Sequence, residues 1–557
     1  MRRRLALLVI AAFAFRLAFG LCSEFWSEDE TQVFLLGLRY HATGEWPYFG
    51  PDVVWTHSQL PGALQALLVG VPLRLLAVPE APFILLNVLS VAALALLGWY
   101  VRVRLPGLPD WLVYGWLFTA PWTLHFSTHV VNPSYVLPAA VIFFIGVLEA
   151  LPALRVGAVG LRVAHFAMGF ALLWVVQLHM SWVVMVPFIL LALGYRSREG
   201  TGALLRAAAC TAAGAMVSGS LLLPTLWAHG LLAGSAERTV EMQWISPWTL
   251  VTLAARFLSF ASFEVVRFIG LSTARRLHFL SQHPWLAPLA AVLVVAGLAQ
   301  PVAMVWLWFR KSAADPQWPA VKRLVLGTVL LVYLSYFFSA KEPLAHAFYV
   351  VAPLAMVYAF HCFALVDSPR ARRVAAALIV TGIVFHAGLA AARVPERSLY
   401  KNRPVAAAAV RLKVAEMLGH RRPYARDLGA GIAPEPAAYA AANAQADLRV
   451  TARRWWRGTG GSSLFRLRIQ NVGTEAAYRD LRYSTLYRDV SGNPVRTGLG
   501  RIYEVLQPGE IRVLPAFNEG FVDARAATAE LRLLGAEKLV PVPRRLGSTM
   551  PVSTEDP

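Results

Sequence analysis

The chain has 557 residues, is 57% hydrophobic and only 15% charged, and has a mean hydropathy of +0.52. That balance excludes an ordinary soluble globule, in which about a quarter of residues are charged. The formal charge of +20 would suggest nucleic acid in a soluble protein. Here Lys and Arg gather at the ends of apolar runs, the pattern of a membrane protein facing anionic headgroups, so no nucleic acid is expected.

In chain order, Arg2–Arg4 precede an apolar run from Leu5 to Cys22. No small-x-small cleavage site follows it, so it reads as a retained first helix. Further spans are predicted at 82–103, 111–127, 133–152, 163–179, 181–195, 205–227, 286–309, 324–339, 347–366 and 374–392. Arg2–Arg4, Arg102 with Arg104, Arg155 with Arg162, Arg196 with Arg198, Arg310 and Lys311 with Lys322 and Arg323, and Arg370 with Arg372 and Arg373 fall on alternate connections. The expected architecture is therefore an α-helical polytopic protein of about eleven spans in a bacterial inner membrane. Its N-terminus would be cytoplasmic and everything after residue 393 periplasmic. Cys22, Cys210 and Cys362 lie in or beside apolar runs without Cys-x-x-Cys spacing, so neither a disulfide framework nor a zinc site is indicated.

This topology leaves two long external segments, 23–81 and 228–285. Val33, Phe34, Leu36, Leu38 and Tyr40 predict a mostly apolar helix in the first, and Pro61 to Leu76 a second helix lying along the interface. Such helices suit a substrate with a lipid tail and a polar head. Beyond 393 the composition changes. Residues 393–445 read as a helix and linker, 446–545 as strands and 546–557 as a disordered tail. Phe465, Leu467 and Ile469 alternate with Arg466, Arg468 and Gln470, turns follow at Asn471–Gly473, Asp489–Pro494 and Pro508-Gly509, and a small β-sandwich is expected.

Glu24, Glu28, Asp29 and Glu30 lie within seven positions just beyond the first span. A carboxylate at the membrane surface can serve as a general base, bind a metal or orient a cation. It can equally be a solvated loop, and the residues alone leave both readings open. Arg238, Arg256, Arg267, Arg275 and Arg276 run against the positive-inside trend in the second long segment, which long loops tolerate; an Arg gripping phosphate there is a candidate role. His57, His125, His129, His179 and His346 fall near the external face, but only His125 and His129 are spaced like ligands. A structural role is the plainer reading for each. No metal site is assigned and no cofactor is certain, while a divalent metal stays open.

Residues 1–392 resemble the bacterial polyprenol-phosphate glycosyltransferases of the protein-O-mannosyltransferase and aminoarabinose-transferase type, the GT-C fold. Arg16 in the first helix is followed by Asp29-Glu30-Thr31, then Gly44-Glu-Trp-Pro47-Tyr-Phe-Gly50-Pro51 and Thr56-His-Ser-Gln-Leu-Pro61-Gly62. Asn132-Pro133-Ser134, Gln177-Leu-His179-Met-Ser181, Pro224-Thr-Leu-Trp227, Phe338-Ser-Ala-Lys341-Glu-Pro343 and Tyr349-Val-Val-Ala-Pro353 continue the likeness. The resemblance implies Asp29 as catalytic carboxylate, supported by Glu30, in a single inverting displacement of polyprenyl phosphate. Lys341 and Tyr349 would lie near the donor phosphate, with Arg256 the favoured Arg of the second segment. His57, Gln59, Asn132, His179 and His346 are substrate-binding candidates. The implied partners are a polyprenyl-phosphate sugar, a glycan, lipid or protein acceptor, and membrane lipids.

Two departures stand out. Asn132 occupies a position that is acidic in aminoarabinose transferases, and Ser58, Gln59 and Leu60 replace an acid and a lysine. Both argue against lipid A aminoarabinose as the chemistry, not against the class. The tail resembles an extracytoplasmic immunoglobulin-like domain through Leu467–Asn471, Leu486–Gly492 and Leu506–Glu510. A transporter or flippase for lipid-linked substrates is the rival, though no internal repeat supports it. An inactive scaffold is a third reading.

Overall fold

The computed structural model describes residues 2–23, 28–44, 46–53, 58–230, 240–260, 262–270, 273–309, 316–339, 343–397, 407, 410, 432–434, 441–457, 462–474, 476–502, 504–522 and 525–541. The chain divides into two compact units, 1–415 and 416–557.

The first unit is helical. In order it holds α1 (Arg2–Ser23), α2 (Glu28–Thr43), a hairpin of β1 (Phe49–Val53) and β2 (Ser58–Pro61), α3 (Leu64–Leu75), α4 (Ala81–Arg104), α5 (Asp110–Thr119), α6 (Pro121–Phe126), α7 (Val136–Ala150), α8 (Leu161–Val176), α9 (Val186–Arg198), α10 (Thr201–Gly219), α11 (Leu223–His229), α12 (Pro247–Ser259), α13 (Thr273–Gln282), α14 (Leu286–Phe309), α15 (Trp318–Ser335), α16 (Ala352–Val366) and α17 (Pro369–Arg397). Eight helices among the described residues are long and apolar enough to cross a membrane, and the chain is a multi-pass membrane protein. The other three predicted spans are present in shorter form. Two are the apolar helices α7 and α8. The third, 111–127, is broken into α5 and α6 because Pro121 offers no N–H and Ala120 before it is extended (ψ 125°). The stretch predicted as an interfacial helix from Pro61 to Leu76 is α3.

Close helix packing uses small residues where two backbones meet. A Cβ on Gly169 of α8 would strike the Thr211 carbonyl oxygen, and one on Gly214 of α10 would strike that of Phe166. Where lipid is as apolar as the side chains, such close approach supplies the packing that holds helices together.

The ends of the bundle sort as the basic flanks predict. Arg104 donates to the Tyr100 hydroxyl at 3.0 Å, to Gln317 Oε1 at 2.5 Å and to the Leu154 carbonyl, which joins the ends of α4 and α7 to the start of α15. Tyr100 donates to Glu149 Oε1 at 2.9 Å, and the amides of Val156 and Gly157 also donate to that fully buried carboxylate, at 3.3 and 2.9 Å. Buried charge survives there because each oxygen has a donor.

The second unit is a β-sandwich. β3 (Ile432–Pro434), β9 (Thr528–Pro541), β6 (Ala477–Arg488) and β7 (Pro494–Ile502) form one sheet in that order, and β4 (Leu448–Arg457), β5 (Ser462–Asn471) and β8 (Ile511–Phe521) the other. A short helix, α18 (Ala441–Asp447), precedes β4. Phe465, Leu467 and Ile469 from one sheet pack with Tyr478, Leu481, Tyr483 and Leu531 from the other. The alternation in β5 turns its arginines outward, as predicted.

Candidate active site

The end of the bundle opposite the Arg104 network gathers the segments that carry the candidate residues. It begins at the α5–α6 break, where a missing proline N–H frees carbonyls in an apolar setting. Arg16 of α1, fully buried, donates to the carbonyls of Phe118 (3.0 Å) and Thr123 (2.8 Å) and to Thr123 Oγ1 (3.1 Å). Arg16 thus stitches α1 to the break, giving the Phe118 carbonyl a donor and adding a second to the Thr123 carbonyl, which also accepts from Ser127 N–H at 3.1 Å.

Beyond α6 the turn 127–135 makes two long-range hydrogen bonds. His129 Nε2 meets Ser23 Oγ at 2.8 Å, at the last residue of α1, and Ser127 Oγ meets the Tyr349 hydroxyl at 2.6 Å. Burial, with smaller contributions from Arg393 and Arg16, pushes His129 down to about 4, so the ring is neutral at pH 7. Its Nδ1 lies 3.2 Å from the His125 carbonyl, which can only accept, so Nδ1 carries the proton. Nε2 is then the acceptor, and the Ser23 hydroxyl divides its proton between that nitrogen and the Phe19 carbonyl at 2.5 Å. The same logic fixes a second pair. His386 Nδ1 donates to the Gly382 carbonyl (2.7 Å), so at 3.2 Å its Nε2 accepts from His125 Nε2. Phe19 packs edge-on against both rings.

α2 starts five residues after Ser23. Backbone is described for Asp29, and Glu30 is half-buried on the same first turn. The side chain of Asp29 lies outside the described residues, as do His57 and Lys341. The hairpin places Gln59 opposite Asp52. Its base is set by Gly62, whose φ of +105° suits glycine and whose added Cβ would lie 2.6 Å from Gln177 Oε1. Gly62 N–H and Thr225 Oγ1 both donate to the Tyr48 carbonyl, at 2.9 and 2.6 Å, so the Gln177 and Pro224-Thr225 motifs seat the hairpin.

The remaining candidates are placed as follows. Tyr349 is buried, 1% exposed, at the turn leading into α16. His346, in the turn before it, lies 5.9 Å from the Phe126 ring. Arg256 donates to Glu264 Oε1 at 3.0 Å and to the Pro343 carbonyl at 2.5 Å. It therefore braces the turn just after Lys341 while paired with a buried carboxylate. His179 Nδ1 accepts from Ser181 N at 3.1 Å and caps the following 3-10 turn, a structural role. Asn132, in the 127–135 turn, keeps Oδ1 buried without a hydrogen-bond partner, at a cost of about 1–3 kcal/mol. No three His, Cys, Asp or Glu side chains among the described residues are grouped to hold a metal ion.

Sequence reasoning missed Ser23, Ser127, His386, Arg393 and Glu264. Of these, His386 inside an apolar span carried a signal, since a polar ring there calls for a partner. The serines carried none.

No protein-family model and no curated protein sequence matches the chain. Among solved structures it is similar to the crystal structure of ArnT from Cupriavidus metallidurans in the apo state, at 14% identity and TM-score 0.43, over 75% of this chain and 77% of that one. ArnT from the same organism bound to undecaprenyl phosphate gives 15% identity and TM-score 0.41 over 75% and 77%. The cryo-EM structure of arabinosyltransferase EmbB from Mycobacterium smegmatis gives 12% identity and TM-score 0.37, over 96% of this chain and 64% of that one. Identities this low carry no residue-by-residue correspondence.

Proposed function

We propose that this protein is an integral-membrane glycosyltransferase that moves a sugar from a polyprenyl-phosphate donor to an envelope glycan, lipid or protein on the extracytoplasmic face. One observation carries the reading. The pair of hydrogen bonds Ser23–His129 and Ser127–Tyr349 ties the end of α1, which leads into Asp29-Glu30, to the turn that follows Lys341. Segments that are more than a hundred residues apart, each bearing a candidate, thereby converge on one end of the bundle.

In this reading Asp29 takes the proton from an acceptor hydroxyl or amine as that group attacks the anomeric carbon. The C–O bond to polyprenyl phosphate breaks in the same step, with inversion, and the electron pair leaves on the phosphate oxygen. Lys341 stabilises that developing charge, and Arg256 acts by holding the Pro343 turn. Asn132 Oδ1 is available to accept from a sugar hydroxyl. The largely apolar α2 and α3, between the first two spans, suit a donor whose tail stays in lipid.

The test is turnover by the purified protein in nanodiscs, given a polyprenyl-phosphate sugar labelled in the sugar. Release of polyprenyl phosphate with label on an envelope fraction is expected. Transport of the intact donor across the bilayer without release would contradict the proposal and favour a flippase.

A further inference from the structure

The two sheets of the C-terminal sandwich present outer faces of different chemistry. On the four-stranded sheet some arginines have acids to hand: exposed Arg532 Nε lies 3.0 Å from Glu530 Oε1, and part-buried Arg479 Nε lies 2.7 Å from Glu537 Oε2. On the three-stranded sheet Arg512, opposite the inward-facing Ile469, pairs with Glu504 and Glu510, but among the described residues the arginines of the outer face do not pair. Phe465, Leu467 and Ile469 of β5 point inward, so Leu464, Arg466, Arg468 and Gln470 face out. Across the ladder Arg454 stands directly opposite Arg466, Arg449 opposite Gln470, Trp456 opposite Leu464, and Val513 of β8 opposite Arg468.

Arg449, Arg454, Arg466 and Arg468 are all exposed, and none has a carboxylate partner among the described residues. Like charges directly opposite on a sheet repel, so this arrangement costs stability when nothing anionic lies against it. Apolar side chains are interleaved with the charges. Val513 is 48% exposed, Ile511 is 42% exposed, and Trp456 and Leu464 are half-buried. Guanidinium groups beside Trp and aliphatic side chains on one flat face match a bilayer surface, where phosphates meet acyl chains. The sandwich is also covalently tied to the membrane, because residues 398–431 join its first strand to α17, whose apolar window ends at Pro395. A tether raises the effective concentration of lipid at the domain and makes a weak contact sufficient.

We propose that the outer face of β4, β5 and β8, centred on Arg449, Arg454, Arg466 and Arg468, is a docking surface for anionic phospholipid headgroups of the membrane that holds the spans. Arginine suits phosphate because its planar fork donates twice to one group. The face orients the domain flat on the lipid, with Trp456, Ile511 and Val513 at the level of the glycerol backbone.

The experiment uses the full chain in nanodiscs of phosphatidylcholine, with or without phosphatidylglycerol, and a fluorescent amino acid in place of exposed Thr451 on β4. Quenching by lipids brominated near the headgroup reports docking. We expect quenching in the phosphatidylglycerol discs, loss of it as salt is raised, and at least about a tenfold fall in the docked fraction with Arg454→Gln, Arg466→Gln and Arg468→Gln combined, since each interfacial arginine is worth roughly a fivefold factor. The salt titration needs no variant and so stands even if the triple variant misfolds. Quenching indifferent to phosphatidylglycerol and salt would overturn the proposal. So would no quenching in either disc together with fluorescence changes on adding a soluble anionic polysaccharide, which would make the face a glycan surface.

Discussion

The two ends of the helical bundle both bury polar groups, yet they do so in opposite ways. At the Arg104 end, buried charges are held by hydrogen bonds: Glu149 receives Tyr100 and two backbone amides, and the two terminal nitrogens of Arg104 donate to a hydroxyl, an amide and a carbonyl. At the other end the buried partners are neutral rings and hydroxyls, Ser23 with His129, His125 with His386 and Ser127 with Tyr349. Buried charge there is held apart from those rings, by Arg16 on the carbonyls of Phe118 and Thr123 and by Arg256 on Glu264. A network whose carboxylate oxygens and terminal guanidinium nitrogens all have partners is an anchor. One built from groups that both give and take protons, at the end of α1 that leads into α2, has the parts of a reaction site.

That contrast can be broken by mutation, and the largest effect belongs to the anchor. Glu149→Ala strands Tyr100 and Arg104 in the interior and is expected to cost about 3–5 kcal/mol of stability. The transfer rate of the protein that remains folded should not change. Thermal unfolding in detergent, run beside a transfer assay on the soluble fraction, checks both halves. Arg256→Gln should cost less, about 1–3 kcal/mol, because Glu264 loses its buried partner but keeps the half-exposed Arg267 at 3.3 Å. Glu264→Gln added to it recovers most of that stability if the arginine is a brace. Persisting loss of donor affinity in the double variant would instead assign Arg256 to the phosphate.

Smaller effects are expected at the neutral network and in the sandwich. Tyr349→Phe removes one hydrogen bond to Ser127, worth about 0.5–1.5 kcal/mol, and should lower kcat/KM roughly threefold to tenfold, with little change in melting temperature. The smallest effect is a pH dependence of the sandwich. Burial raises the Glu519 carboxyl above its ordinary 4.5, although the Tyr487 hydroxyl donates to it and opposes the shift. The folded domain thus holds this proton more tightly than the unfolded chain. Its contribution is complete below about pH 4.5 and is lost as pH rises through the folded value. Glu519→Gln should flatten that slope in a melting series on the full chain; an unchanged slope would remove Glu519 from the account.

Much of the architecture was legible because the bilayer imposes length and the basic flanks alternate. The eleven runs and the grouping of Arg104, Leu154 and Gln317 at one end follow from those two rules. The period-two stretch around Phe465 announced the sandwich for the same kind of reason, since one face had to be buried. The break at Pro121 was hidden by the unbroken apolar run 111–127, and its repair carried no local signal: Arg16 reaches carbonyls more than a hundred residues away. The same limit hid the partners of the site. Ser127 and Tyr349 are unremarkable in their own segments and matter only because folding sets them 2.6 Å apart. His179 and Arg256 illustrate the converse: the first caps a turn, and the second holds Glu264 and the Pro343 carbonyl.

The central claim concerns Asp29. Full-length protein carrying Asp29→Asn, shown by its melting curve to be folded and by donor binding to hold the polyprenyl-phosphate sugar, is to be compared with wild type for initial rate of sugar transfer. Loss of a general base predicts a fall of about a hundredfold or more with donor affinity retained. Transfer by the folded variant at the wild-type rate would contradict the assignment and move the chemistry elsewhere on that end of the bundle.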